Sequence, residues 1–210
     1  GFTKEITASG IFYNSFIMAF GIASLSVFVS MMAAYSLVYF KTRFSTLFFW
    51  LIFITLLVPL ELRILPSYQI VSDLNLLNSY AGLILPLSAS AIATFFFRQY
   101  YRSIPEELLE AAKLDGANSW KFFIDFLVPL SKTMIAAMFI FMFVYGYNQY
   151  LWPLIMTTSE KYWTVVMGLK MIYGGNSVDR YTYVILSLIP PVIIIVFLQR
   201  LFIQGLFQSK

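Results

Sequence analysis

The 210-residue chain has no cysteine and no histidine, and only 11% of its residues are charged. The first absence excludes disulfides, thiol nucleophiles and thiolate-held metals; the second excludes imidazole acid–base catalysis and Cys/His zinc sites. No G-x-x-x-x-G-K-S/T phosphate loop occurs, so ATP binding has to come from another chain. The formal net charge of +4 carries no basic patch with interleaved aromatics, which excludes a nucleic-acid partner. What is abundant is apolar surface: 60% of residues are hydrophobic and 19% aromatic, against about 45–50% apolar in soluble domains. Lipid is the solvent this composition suits.

A hydrocarbon core about 30 Å thick needs roughly 20 mostly apolar helical residues. Five segments meet that requirement, over 14–40, 45–66, 80–97, 130–154 and 181–205. Their continuous apolar character lacks the ten-residue alternation of barrel strands. The expected fold is all-α, a polytopic transmembrane helical bundle. Placing 41–44, 98–132 and 200–210 in the cytoplasm puts Lys41, Arg43, Arg98, Arg102, Lys113, Lys121, Lys132, Arg200 and Lys210 there. Lys4, Arg63, Lys161, Lys170 and Arg180 remain outside. The bias favours this orientation, with the carboxyl end inside. A polar lead without an initiator Met precedes the first span, so a sixth span is expected upstream. The outer loops are 65–79 and 156–180, the second with a turn-forming Gly174-Gly175-Asn176-Ser177 run.

The charged segment 103–129 carries the most information. Ser103 and Glu106 form an S-x-x-E capping box, with Pro105 in the first turn. Ile104, Leu108, Ala111, Ala112 and Leu114 suggest one apolar side opposite Glu106, Glu107, Glu110 and Lys113. Gly116 supplies a left-handed end, and Asn118 or Ser119 caps a second helix in which Trp120, Phe123, Ile124 and Leu127 recur. Pro129 closes that helix. An interfacial amphipathic helix is the plain alternative, but its polar face would carry Lys and Arg, whereas this one leads with glutamates.

Glu110-Ala111-Ala112, three residues, Gly116, nine residues, then Phe126-Leu127-Val128-Pro129 resembles the EAA signature of bacterial ABC-importer permeases. Phe126 and Val128 replace that pattern's usual Ile and Leu. The stretches 57–68, 77–101, 145–154 and 187–206 resemble the carbohydrate-importer branch of the family. The resemblance implies a single permease domain over 1–210, with 103–129 as its cytoplasmic coupling loop. Glu110, Ala111, Ala112, Asp115, Gly116 and Pro129 would then meet an ATP-hydrolysing subunit. It implies a non-catalytic chain that binds no cofactor, ATP and Mg being held by an ATPase dimer. The further partners it implies are a second, different permease, a periplasmic solute-binding protein and membrane lipid. The implied solute is sn-glycerol 3-phosphate or a related glycerophosphodiester, with maltose or another sugar as the alternative.

Polar groups within spans mark candidate path residues, since they are costly in hydrocarbon. Asn148 and Gln149, flanked by Tyr145 and Trp152, either line the path or bond between helices beside an outer aromatic belt. Glu61 and Arg63 near the outer end of the second span either snorkel to the interface or pair with each other, or else meet the binding protein or an anionic solute. Ser26, Ser30 and Ala34, Ala19 and Ala23, and Ala89 and Ala93 form small-residue stripes suited to close helix packing. Pro86 and Pro190-Pro191 are expected to interrupt their helices. Two other classes stay open: an ion-coupled secondary transporter, for which no mid-span carboxylate is present, and a purely structural membrane anchor.

Overall fold

The computed structural model describes residues 8–40, 42–171 and 177–207. Among these, every regular element is helical. Residues 1–7 of the amino-terminal lead, Lys41 and residues 174–176 of the expected turn lie outside the described residues.

Helix α1 (Ala8–Tyr39) is the axis of the molecule. Its 32 residues extend about 48 Å at 1.5 Å per residue, more than a hydrocarbon core requires. It is apolar on every side, as a helix without a solvent face should be. The predicted stripe is its packing seam: Ala19, Ala23, Ser26, Ser30 and Ala34 are all completely buried. A Cβ on Gly146 of the facing helix would lie 3.1 Å from the Ala19 Cα, so the two backbones meet with no side chain between them. Ala93 joins this packing, but Ala89 is exposed because it falls in a helix break.

Three of the five expected spans are broken. The second consists of α2 (Ser45–Ile54), a 3-10 turn and α3 (Leu60–Asp73), bent by 105°. Pro59 forces its predecessor into extended backbone, and Val58 sits at φ −94°, ψ 107°. Helix α3 then runs past Pro66, so the first part of the expected 65–79 loop is helical. The third span is α4 (Tyr80–Ile84), a 3-10 turn and α5 (Ala91–Ser103), bent by 47°. Pro86 does interrupt this helix, and Trp152 Nε1 donates to the Leu83 carbonyl beside the break (3.1 Å).

After the charged segment, with α6 (Glu106–Leu114), α7 (Ser119–Lys121) and α8 (Val128–Leu130), comes α9 (Lys132–Tyr147). The fourth span is interrupted at 148–150 before α10 (Leu151–Met156). Helices α11 (Val165–Met171) and α12 (Ser177–Phe207) complete the chain. Contrary to expectation, Pro190 and Pro191 lie inside α12 without interrupting it. Pro191 has no N–H for the carbonyl of Ser187, four residues back. The buried Tyr147 hydroxyl of α9 donates to that carbonyl instead (3.0 Å), which lets the helix continue. Much of α12 is bare apolar surface, Val192, Ile193 and Phe197 being 53%, 54% and 79% exposed.

Long-range asparagine contacts fasten the loops at one end. Asn78 Oδ1 accepts from the Thr158 and Ser159 amides (2.8 and 2.9 Å). Asn14, 4% exposed, donates to the carbonyls of Lys161 and Trp163 and accepts from the Tyr80 hydroxyl. Two buried clusters follow along α1. One gathers Trp152, Leu83, Phe143 and Ile22; the other gathers Ala112, Phe122, Phe123, Leu127, Phe97 and Tyr101, and so joins the charged segment to the bundle.

Candidate functional site

The charged segment forms two short helices meeting at a glycine. Gly116 has φ 78°, its amide donates to the Lys113 carbonyl (3.0 Å), and the Ala117 amide donates to the Ala112 carbonyl (2.9 Å). These two bonds are the Schellman end of a helix, for which glycine is the favoured residue. Asn118 Oδ1 then accepts from the Lys121 amide (2.8 Å), making Asn118 and not Ser119 the cap of the next helix. The expected capping box at Ser103 does not form. Its hydroxyl turns back to the Tyr100 carbonyl (2.6 Å), closing α5, and α6 starts behind Pro105 with no side-chain cap.

The apolar side of α6 also differs from expectation. Ile104, Leu109 and Ala112 face the bundle, with Ala112 1% exposed. Glu110, Ala111, Asp115 and Gly116 are exposed, and Leu114 is 89% exposed. Helical spacing explains the split, because Leu109 and Ala112 share one face while Ala111 and Leu114 share another. In the second helix, residues Phe122–Leu127 form a π-type stretch, whose wider turns shift the face. Phe122, Phe123 and Leu127 are buried, whereas Trp120 and Ile124, expected on the apolar side, are exposed. Pro129 lies in the last turn, Leu130 ends the helix, and the chain bends by 77° into α9. The Tyr35 hydroxyl donates to the Ser119 carbonyl (2.8 Å), tying this elbow to α1.

The candidate path residues divide between two adjoining hollows. Arg63, Tyr145 and Trp152 line a cavity of about 300 Å³ beside the breaks at Pro59 and Pro86. Tyr145 also borders an open recess of about 560 Å³ with Asn148 and Gln149. Trp152 is 1% exposed and bonded to Leu83, so it is not part of an outer aromatic belt. Asn148 follows the end of α9, and Gln149 Nε2 donates to the Tyr145 carbonyl (3.3 Å). Glu61 is exposed in the first turn of α3 and does not line the cavity. No Glu61–Arg63 ion pair occurs among the described residues, so the pairing account of these two charges does not hold. Sequence reasoning missed the polar clamps at Asn14 and Asn78, and it missed that helix breaks create the cavity.

Residues 26–208 match the model of the family described as binding-protein-dependent transport system inner membrane component. The chain belongs to that family. It is a permease subunit, a non-catalytic multi-pass component of a transporter in the inner membrane. Similar permeases include the sn-glycerol-3-phosphate transport system permease protein UgpE of Yersinia enterocolitica, 49% identical over 203 residues, covering 94% of this chain and 72% of that protein. The protein of the same name from Salmonella typhi is 50% identical over 202 residues, with the same coverage. The permease fold also matches a chain in the crystal structure of a bacterial ABC transporter involved in the import of the acidic polysaccharide alginate. The TM-score is 0.75 at 21% identity, over 90% of this chain and 75% of that one.

Proposed function

We propose that this permease forms part of the translocation path for sn-glycerol 3-phosphate in a binding-protein-dependent ABC importer. The observation that carries the reading is identity of about half over 94% of the chain to permeases named for that solute. In this reading a periplasmic protein delivers the solute, a second, different permease completes the path, and an ATPase dimer holding ATP and Mg drives it. The elbow 103–129 lies on the cytoplasmic side, as does the carboxyl end.

The geometry supports a division of labour within the elbow. Ala112, Phe122, Phe123 and Leu127 anchor it in the bundle, so a push on its outer side is passed to α1, α5 and α9 rather than absorbed in a loop. Glu110, Ala111 and Leu114 form the side offered to the ATPase: a carboxylate for a cation, a small residue for close approach and an apolar anchor. Asp115, Gly116 and Pro129 fix the angles. The test is uptake in cells dependent on this permease, with glycerol 3-phosphate, glycerophosphodiesters and maltose as competitors. Competition by the phosphate esters is expected; competition by maltose alone would overturn the solute assignment.

A further inference from the structure

We propose that Arg63, with Ser67 and Tyr145, forms an anion subsite on the translocation path that takes the solute's phosphate group. This rests on the reading of the chain as a phosphate-ester permease. Arg63 is the one charged residue among those lining the cavity of about 300 Å³, so the hollow carries net positive charge. It makes no ion pair with a carboxylate among the described residues, and Glu61, two residues before it, does not line the hollow. Arg63 is exposed near the outer end of its span, where a charge costs less than the about 2.5–3.5 kcal/mol of a helix centre; what marks it is that it faces a hollow between bent spans, where charged groups serve solute or ion pathways.

The neighbouring chemistry suits a small phosphate ester. A guanidinium meets phosphate oxygens in a two-pronged arrangement. Ser67 and Tyr145 add hydroxyls that can bond to the phosphate or to the carbinol groups, and Pro86 and Trp152 supply apolar wall. The volume is at the small end of the range of about 300–1,000 Å³ for ligand sites, as a three-carbon solute requires. The cavity shares Phe141 and Tyr145 with the mostly apolar recess bordered by Asn148 and Gln149, so the two hollows adjoin.

The absence of cysteine from the chain allows a direct charge measurement. Ser67→Cys is introduced into the assembled transporter, with any reactive cysteines of the other subunits removed. Its modification by an anionic sulfonate thiosulfonate reagent is compared with modification by a cationic trimethylammonium one. A preference of about tenfold for the anion is expected from a local potential of a few kT. Arg63→Gln should abolish that preference, Arg63→Lys should keep it, and glycerol 3-phosphate should slow labelling only where the positive charge is present.

In reconstituted vesicles, Arg63→Gln should lower glycerol 3-phosphate uptake at least ~10-fold, while ATPase stimulation by the binding protein stays within about twofold. The subsite is overturned by an anion preference that survives Arg63→Gln, by undiminished uptake, or by uptake and ATPase stimulation falling together, the mark of a docking residue. A wild-type transporter that imports only neutral sugars would refute the solute reading itself, and with it the phosphate at this subsite.

Discussion

Replacing Gly116 separates backbone conformation from space. The residue holds φ 78°, and nothing lies within 4 Å of where its Cβ would be. Within this chain a side chain there meets no obstacle, so the cost is that of left-handed backbone, about 1–2 kcal/mol for an ordinary L-residue. That corresponds to a factor of roughly 5–30 in the population of the correctly bent elbow. Asparagine enters this region more readily than alanine, and a β-branched residue least readily. The assay is ATP-driven uptake by the reconstituted transporter carrying Asn, Ala or Val at 116, with the amount of co-purifying ATPase measured in parallel. Uptake should fall in the order Gly, Asn, Ala, Val, with Ala lower than Gly by roughly 5–30-fold. Wild-type uptake with Val would show that the elbow does not need left-handed backbone at 116, and Asn being as damaging as Val would mean that volume against a partner decides.

Four further outcomes follow from the packing. Ala112→Leu should destabilise the permease by about 1–3 kcal/mol through overpacking, seen as a lower melting temperature in detergent. Ala111→Leu should leave melting unchanged but lower ATPase co-purification and uptake; the reverse pattern would contradict the assignment of faces. Tyr147→Phe leaves the Ser187 carbonyl beside Pro191 without its donor and should cost about 1–2 kcal/mol, so unchanged melting would show that this bond does not support α12. Asn78→Ala removes the acceptor for the Thr158 and Ser159 amides and should cost about 1–3 kcal/mol. Faster proteolysis of the 157–163 loop in the assembled transporter would report that loss, and unaltered digestion would contradict it.

The parts legible in sequence are those whose signal is local. Gly116 and Asn118 declare a turn and a cap within a few residues, and both form as read. Continuous apolar runs mark the spans, because lipid demands them irrespective of neighbours. Ser103 misled because a serine between two helices can either cap the second or close the first. Pro105 and the end of α5 settle it in favour of closure. Proline signals were ambiguous for a different reason: Pro59 and Pro86 break their spans, while Pro190 and Pro191 do not. A hydroxyl from α9 reaches the vacated Ser187 carbonyl from 40 positions away, and no local pattern encodes that. Asn14 and Asn78 likewise become structural only through partners 66 to 149 and 80 to 81 positions distant. Arg63 was visible as a misplaced charge, but the cavity it lines exists because two spans bend.

The most direct measurement of the account is site-specific crosslinking along the elbow, each substitution giving the chain its only thiol. Cysteine at Ala111 or Leu114, both exposed, should crosslink to the ATPase subunit of the assembled transporter and be labelled by impermeant reagent only from the cytoplasmic side. Cysteine at Ala112, buried against the bundle, should do neither. Labelling of Leu114→Cys from the outside, or failure of both exposed positions to capture the ATPase, would contradict the coupling role.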